Sequence, residues 1–513
     1  MSYRSTIKQV RVSKGGQLKL LSKESVREID YFAKTVLNQT GVEVFSNKGL
    51  KVLHDLGAEV DFKRKRVWLP PTLVEEAMMK VGHSFRWGGR DSKTYLTIEG
   101  NRVHYMAIGA PTYILDLEGN YRKATIKDWQ DVYRLVDALD HFNLASGSVY
   151  TPWVTSEELN LQDHIRRARV FLRLLNATEK PIDMSKEYYY EQETDYSSDA
   201  EFRIKIESLI RGGLKELQRI PMGYHHVNTT GPLKLLGPNV DSALVYAKYG
   251  LPIMVAPSTI INATGPATIA GALVQQIAEY LARAVMYVLS ARDPSRRSVV
   301  ICGACPGILD QRTAASAALG APETCLQVIG TAQMGKFYKV PTRALIGNTE
   351  AMIPDAQAGY ETMLGCLSAS LAGINIISTG GGLDSQNLLS LEKYPMDNDM
   401  IGAVRRILDG INICDETLAV DVIDEVAKSG GPMSYISHRH TKNWMRKEQF
   451  FPLIFNRKRY SEWERAGSKE ARIVARDKAK EILKEHWPEP LAKDIREKIE
   501  EYIRHIEKKE VRK

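Results

Sequence analysis

The spacing of apolar positions changes character along the chain. Between Ser22 and Leu56, Val26, Ile29, Phe32, Ala33, Val36 and Leu37 recur at helical spacing behind a cap-like serine, so this stretch reads as largely helical. From Ser84 to Tyr121 the period falls to two. SFRWGG, TYLTIEGNRVHYM and TYILDLEGNY alternate apolar and polar residues around Glu-Gly and Gly-Asn turns, as antiparallel hairpins do.

From about Asn143 short apolar runs are each followed by an amphipathic helix, the pattern of β/α units on a parallel sheet. Strands are predicted at Leu144–Val149, Pro181–Met184, Pro221–Tyr224, Pro252–Ala256, Val299–Cys302, Thr342–Ile346 and Ile374–Ser378, with an eighth near Val420–Ile423 or Met433–Ile436. Helices are predicted at Asp163–Leu175, Ala200–Leu217, Thr268–Leu289, Ala356–Leu371 and Met400–Leu408. So many units fit a closed (β/α)8 TIM barrel of the α/β class better than an open sheet. The expected organisation is an α+β N-terminal layer over residues 1–140, a barrel core over 141–436 and a C-terminal helical extension over 437–513. In that extension Leu491, Ile495, Ile499, Tyr502 and Ile506 follow the breaker WPEP at helical spacing, predicting a helix that packs on the barrel or on a second subunit.

Composition narrows the class. With 513 residues, 43% hydrophobic and 26% charged, the chain can bury an extensive core. Much of its net charge of +8 falls between Arg457 and Lys513, interleaved with acids, which reads as a solvated helical face rather than a nucleic-acid surface. The N-terminal residues lack the apolar core of a secretory signal, and the most apolar run, Ile269–Leu289, is interrupted by Gln275, Gln276, Glu279 and Arg283. A cytoplasmic protein is expected. The five cysteines are scattered through apolar segments, as buried thiols of a reducing compartment would be. Cys302 and Cys305 form a CxxC with no second pair, so neither zinc nor redox chemistry is expected there.

In a parallel barrel the chemistry sits where strands end, because every C-terminal strand end faces one mouth. The segments at those ends are polar or glycine-rich: HHVNTTGP from His225, PSTIINATGP from Pro257, Gly303–Asp310, GNTEAMIPD from Gly347 and TGGGLD from Thr379. Any single Asn, Thr or Asp in such a loop has an ordinary use as a helix cap or turn closure. Of His225 and His226, adjacent on a strand, at most one faces the lumen, so a hydrogen-bonding histidine is expected rather than a metal site. The run Gly380–Gly382 lacks the GxxxxGK[ST] and GxGxxG spacings of nucleotide loops; it would let a bulky planar cofactor approach the backbone. Neither GxSxG nor HExxH occurs. Tyr150, Trp153 and Tyr224 lie near strand ends, where aromatic faces can hold an alkylammonium ion. A Schiff-base lyase would need a lysine at the mouth, but Lys336 and Lys339 precede the sixth predicted strand, on the wrong side.

The segment from Asn262 to Asp384 resembles the trimethylamine methyltransferase superfamily. The features are Thr268-x-Ala-Gly-Ala opening a helix that carries Ala278-Glu279, then Pro322-Glu323, then PDAQAGYE from Pro354 to Glu361. The closing segment SHRHTKNWMRKEQFFPLIFNRKRYSEWERAGSKEAR is similar to that family too, with His438, His440 and Thr441 followed by Trp463. The resemblance implies a barrel whose mouth receives a corrinoid (cobalamin) carried by a cognate small protein, not one held tightly by the chain itself. One branch of the family uses pyrrolysine on trimethylamine; the other, built of standard residues, is similar to glycine betaine methyltransferase. Only ordinary residues occur here, which places the chain with the second branch. A methyl carbon on a quaternary ammonium can be attacked without a general acid, because the amine leaves neutral.

The implied activity is methyl transfer from a betaine-like quaternary amine to Co(I) of the corrinoid protein. Action on another methylated amine, or a non-catalytic amine-binding barrel, is the alternative. Substrate-contact candidates are Tyr150, Trp153, Tyr224, His226, Asn262, Arg343 (for a betaine carboxylate), Glu350 and Asp384. Corrinoid-facing candidates are Asn228, Thr264, Asp310, Asn348, Ser378, Thr379, Gly380 and Gly381. No residue is assigned to proton transfer, no metal ligand is expected, and a homo-oligomer is. Two departures stand out: Ser378 and Thr379 occupy the place where the family pattern carries a histidine, and the acidic, tyrosine-rich stretch Glu187–Glu201 is an added surface loop, lid or partner contact.

Overall fold

Eight strands, each followed by a helix, form a parallel ring: β1 (Arg102–Ala107), β2 (Leu144–Ser146), β3 (Ile182–Asp183), β4 (His225–Thr229), β5 (Ile253–Pro257), β6 (Val300–Ala304), β7 (Thr342–Leu345) and β8 (Ile376–Thr379). The order around the ring is β3-β2-β1-β8-β7-β6-β5-β4, every hydrogen-bonded pair parallel, so first and last strands pair. Between β3 and β4 the ring closes by proximity: a Cβ on Gly223, just ahead of β4, would lie 3.6 Å from the Ile182 carbonyl oxygen. This computed structural model describes residues 13–91, 94–108, 112–146, 164–183, 197–229, 231–291, 297–314, 317–429 and 434–510.

The outer helices are α1 (Ile126–Ala138), α2 (His164–Leu175), α3 (Ser197–Arg211), α4 (Gly237–Tyr249), α5 (Ile269–Leu289), α6 (Pro322–Tyr338), α7 (Ala356–Ala372) and α8 (Lys393–Leu408). Their ends follow from local chemistry. Thr125 and Asp128 make a capping box on α1, and the Thr268 and Asp355 side chains accept from Gly271 N (3.3 Å) and Ala358 N (3.1 Å) to start α5 and α7. Gly250 and Gly373, at φ 65° and 82°, end α4 and α7 in the left-handed conformation.

Two strand expectations are corrected. The eighth strand is not near residue 420, where Val420–Lys428 is a helix and the described residues from Ser434 form a turn; it is β1, in the stretch whose alternation predicts an antiparallel hairpin. The strand expected at Pro221–Tyr224 lies instead at His225–Thr229, so the two histidines and Asn228 belong to β4 and not to the loop beyond it.

Outside the ring, helix Lys23–Gln39 packs along α5, and the antiparallel pair Phe85–Gly88 and Tyr95–Ile98 enters the bottom of the barrel. The C-terminal helices lie on the barrel itself. Within Ala471–Glu485, Arg472 and Arg476 grip the fully buried carboxylate of Glu392 at the start of α8, the second at 2.7 Å. In Lys493–Glu510, Tyr502 stacks on Phe202 of α3 with ring centroids 5.4 Å apart. No helix among the described residues is long and apolar enough to cross a membrane.

Candidate functional site at the barrel mouth

Side chains alternate along a strand, so the partners of each residue tell which way it points. On β1, Tyr105 bonds Ser370 of α7 at 2.6 Å and faces the helices, whereas Met106 joins Leu144, Tyr224, Met254, Ala256, Ile301 and Ile376 in an inner cluster. Trp87, Phe85, Leu96 and Ile98 of the entering hairpin complete that cluster. The Trp87 ring is fully buried, donates from Nε1 to the Met222 carbonyl at 2.9 Å and meets Tyr224 edge-on at 5.0 Å. The N-terminal layer thus supplies an apolar floor, and Tyr224 is part of it.

Above the floor the wall turns polar. On β4, His225 points outward, bonding Ser242 at 2.8 Å and stacking on Tyr246 of α4, while His226 points inward, with Nε2 2.9 Å from Asn228 Oδ1. Burial holds His225 well below the ordinary histidine value, so it is a neutral strut. The inward series continues around the ring. The Cys305 thiol lies 3.5 Å from Asn228 Oδ1, Arg343 Nη1 lies 3.3 Å from Cys305 Sγ, and Arg343 Nε donates to Ser378 Oγ at 2.9 Å. His226, Asn228, Arg343 and Ser378 are therefore brought together by β4, β7 and β8, through a cysteine not singled out as a site residue. By alternation Ser146, next to the outward Ala145 on β2, also faces inward, whereas the buried Asp183 at the end of β3 lies within electrostatic reach of Arg203 and Glu207 on α3 and Tyr246 on α4.

The other candidates lie on the rim or behind the wall. Asn262, at φ 69°, and Thr264, donating to Ser258 O at 2.6 Å and accepting from Ile260 N at 2.8 Å, close a turn after β5. Asp310 is engaged with its neighbour Arg312, whose hydrogen bonds bring its carboxyl down to about 2. Glu350 accepts from Leu319 N at 2.6 Å and Gly320 N at 3.1 Å, and burial raises its carboxyl above the ordinary value. Asp384, at φ 46°, sits half-buried where the glycine loop turns. Thr379 faces outward, donating to Gly347 O at 3.0 Å. The glycines at 380 and 381 have a packing reason: a Cβ there would lie 2.7 Å from the Phe142 ring and 2.3 Å from the Tyr394 ring. Asn348 is fully buried beside Gly382, and neither amide atom has a hydrogen-bond partner. Tyr150, Trp153 and residues 187–196 lie outside the described residues; Ser197–Glu201 opens α3.

The motif residues build the rim. Buried Glu279 on α5 accepts from Leu233 N at 3.0 Å and Thr229 Oγ1 at 2.5 Å, tying down the loop after β4. Glu361 accepts from Glu350 N at 3.0 Å, fixing the loop after β7. Behind the glycines, Lys393 and Asp397 form a fully buried pair at 2.7 Å, and Asp397 accepts from Gly381 N at 2.7 Å. The cysteines divide: Cys302, Cys325 and Cys366 are buried as expected, Cys305 is half-buried and Cys414 is exposed, which corrects the reading of all five as buried. Burial pushes the Cys302 thiol up to about 12. Among the described residues no three His, Cys, Asp or Glu side chains converge as a metal site requires. Lys336 donates to Gly373 O at 2.8 Å behind the strands, so although burial lowers it to about 8, it cannot reach the mouth. A cavity of about 430 Å³ lined by Lys215, Arg219, Lys248 and Tyr249 lies at the opposite rim, where α3 and α4 end.

A TIM barrel with a closed floor and a polar upper wall is an enzyme architecture, and the relatives of this chain are methyltransferases. A model of the family described as trimethylamine methyltransferase (MTTB) matches residues 3–511, and the chain belongs to that family. It is 27% identical to a glycine betaine methyltransferase of Desulfitobacterium hafniense (strain Y51), over 94% of this chain and 96% of that protein. It is 29% identical to a trimethylamine methyltransferase of the same species (strain DSM 10664 / DCB-2), over 95% and 93%, and 27% identical to one from Methanosarcina thermophila, over 94% and 96%. Among solved structures, the Methanosarcina barkeri monomethylamine methyltransferase aligns over 92% of this chain and 95% of its own, with 14% identity and a TM-score of 0.48.

Proposed function

We propose that this methyltransferase takes its methyl group from a betaine-like quaternary amine and delivers it to a reduced corrinoid carried by a cognate partner protein. The supporting observation is the placement of charge: the Arg343 guanidinium on β7 faces inward near the mouth, beside Ser378 and Cys305. A zwitterion fits such a wall. Its carboxylate pairs with the guanidinium, whereas a bare cation gains nothing from Arg343.

The chain's work is orientation. No proton has to move when a neutral tertiary amine leaves, so a wall of Asn228, Ser378 and Cys305 suffices, and holding both reactants in line is worth as much as about 7–11 kcal/mol. When bound at the mouth, the corrinoid supplies a cobalt(I) nucleophile. Asn348 fits a role in holding it: a buried amide with no partner costs about 1–3 kcal/mol, and the carboxamides on a corrin rim offer it both a donor and an acceptor. The need for strongly reduced cobalt puts the reaction in the cytoplasm.

The test combines the enzyme, a reduced corrinoid protein and a panel of amines, and follows corrinoid absorbance. Methylation with glycine betaine or another carboxylated quaternary amine is expected. No spectral change with any of them overturns the reading, and calorimetric binding without turnover would identify a non-catalytic amine-binding barrel.

A further inference from the structure

The chain leaves the barrel at Asp409, after α8, and rejoins it near Phe450. There Arg406 holds Glu448 at 2.7 Å, and the Phe450 ring lies 6.0 Å from His141, just ahead of β2. The arm between is folded: it contains helices Asp415–Leu418, Val420–Lys428 and Arg439–Glu448, and its two halves touch through His438 and Glu425 (3.4 Å) and through His440 and the Glu416 carbonyl (3.3 Å). Yet none of its described residues from 409 to 453 is buried. Ile411, Ile413 and Ile436 are 87%, 68% and 90% exposed. A folded segment that turns isoleucines to water along its length has the composition of a contact surface.

Its charge says what the contact is. The first half carries Asp409, Asp415, Glu416, Asp421, Asp424 and Glu425 against Lys428 alone. The second half carries Arg439, Lys442, Arg446 and Lys447, and its single acid, Glu448, is turned back to Arg406. A surface that is acidic at one end and basic at the other is complementary to its own copy rotated by a half-turn, because a two-fold contact sets residue i against j and j against i. The arm is also rooted at the closed end of the barrel, since helices run opposite to strands and α8 ends there. A protein delivering a cofactor must reach the other end.

We infer that the arm spanning residues 409–450 is a two-fold interface between two copies of this chain. The partner is a second copy, held by apolar contact around Ile411, Ile413 and Ile436 and put in register by the acidic half of one arm against the basic half of the other.

The experiment measures the mass of the full-length protein by light scattering at micromolar concentration. Wild type is expected at an even multiple of the chain mass. Asp421→Lys with Asp424→Lys sets basic against basic and halves that mass; Lys442→Glu with Arg446→Glu sets acidic against acidic and does the same. An equimolar mixture of the two double variants restores both attractive contacts and returns the original mass. Unchanged thermal unfolding shows that the variants are folded, and Ile411→Ser with Ile436→Ser, which leaves the charges alone, also weakens the assembly. A wild-type protein of single-chain mass, an assembly indifferent to both reversals, or a mixture that fails to reassemble overturns the inference. So does a single-chain protein whose arm is instead protected by the corrinoid protein.

Discussion

Replacing Arg343 by methionine keeps a long side chain in the wall and removes the guanidinium. The fork is pre-set on the protein side by its bond to Ser378 (2.9 Å) and its approach to Cys305 (3.3 Å). A hydrogen bond to a charged group is worth about 1.5–3 kcal/mol. Losing the pair with a substrate carboxylate then weakens binding about 10- to 100-fold at about 1.4 kcal/mol per tenfold. A carboxylate remote from the reacting methyl is held equally before and during transfer, so the loss is expected in KM, with kcat little changed. Initial rates are measured with glycine betaine and with tetramethylammonium, which lacks the carboxylate. The first is expected to suffer and the second not. Arg343→Lys keeps the charge but not the planar fork, and should recover part of the loss. An equal loss for both substrates would refute the reasoning, because it would mean that Arg343 only holds the wall together.

Trp87→Ala removes a fully buried ring and its bond to Met222 from the floor, and should lower stability by about 3–5 kcal/mol in denaturant unfolding; a loss under 1 kcal/mol would show that the floor collapses to fill the space. At Asp128, burial pulls the carboxyl up, but the Arg122 fork (2.7 and 2.8 Å) and the Thr125 bonds outweigh it and hold it below the ordinary value. Its stabilisation is therefore complete above about pH 4, the unfolded value, and is lost as pH falls through the lowered folded value. Asp128→Asn should flatten that acid limb in a pH series of melting curves, and an unchanged limb would assign the acid sensitivity elsewhere.

Six of the strands were legible because a buried parallel strand is a short apolar run between helices, and that pattern needs no partner to be seen. β1 was hidden for the complementary reason. RVHYMA alternates after an Asn-containing turn just as a hairpin strand would, and alternation tells that a segment is a strand but not what it pairs with; its neighbours, β2 and β8, lie far along the chain. β4 was displaced because two of its outward residues are polar. His225 and Thr229 do not read as core, yet each is satisfied by a helix residue, Ser242 and Glu279, that only the folded chain brings near. In the site, His226 was found from strand-end position and Arg343 as a guanidinium suited to a substrate carboxylate. Cys305 was not, because a thiol in an apolar run gives no sign of which face it takes, and the roles of Glu279 and Glu361 as loop anchors show only in three dimensions.

The pairing of β1 with β8 joins residues near 104 to residues near 376, so the ring cannot shut until the last stave has left the ribosome. The hairpin that stoppers it is made before any stave. During synthesis Trp87 and Phe85 therefore await a vessel that does not yet exist, and a chain stalled before β8 would present that greasy stopper to the cell's chaperones and proteases.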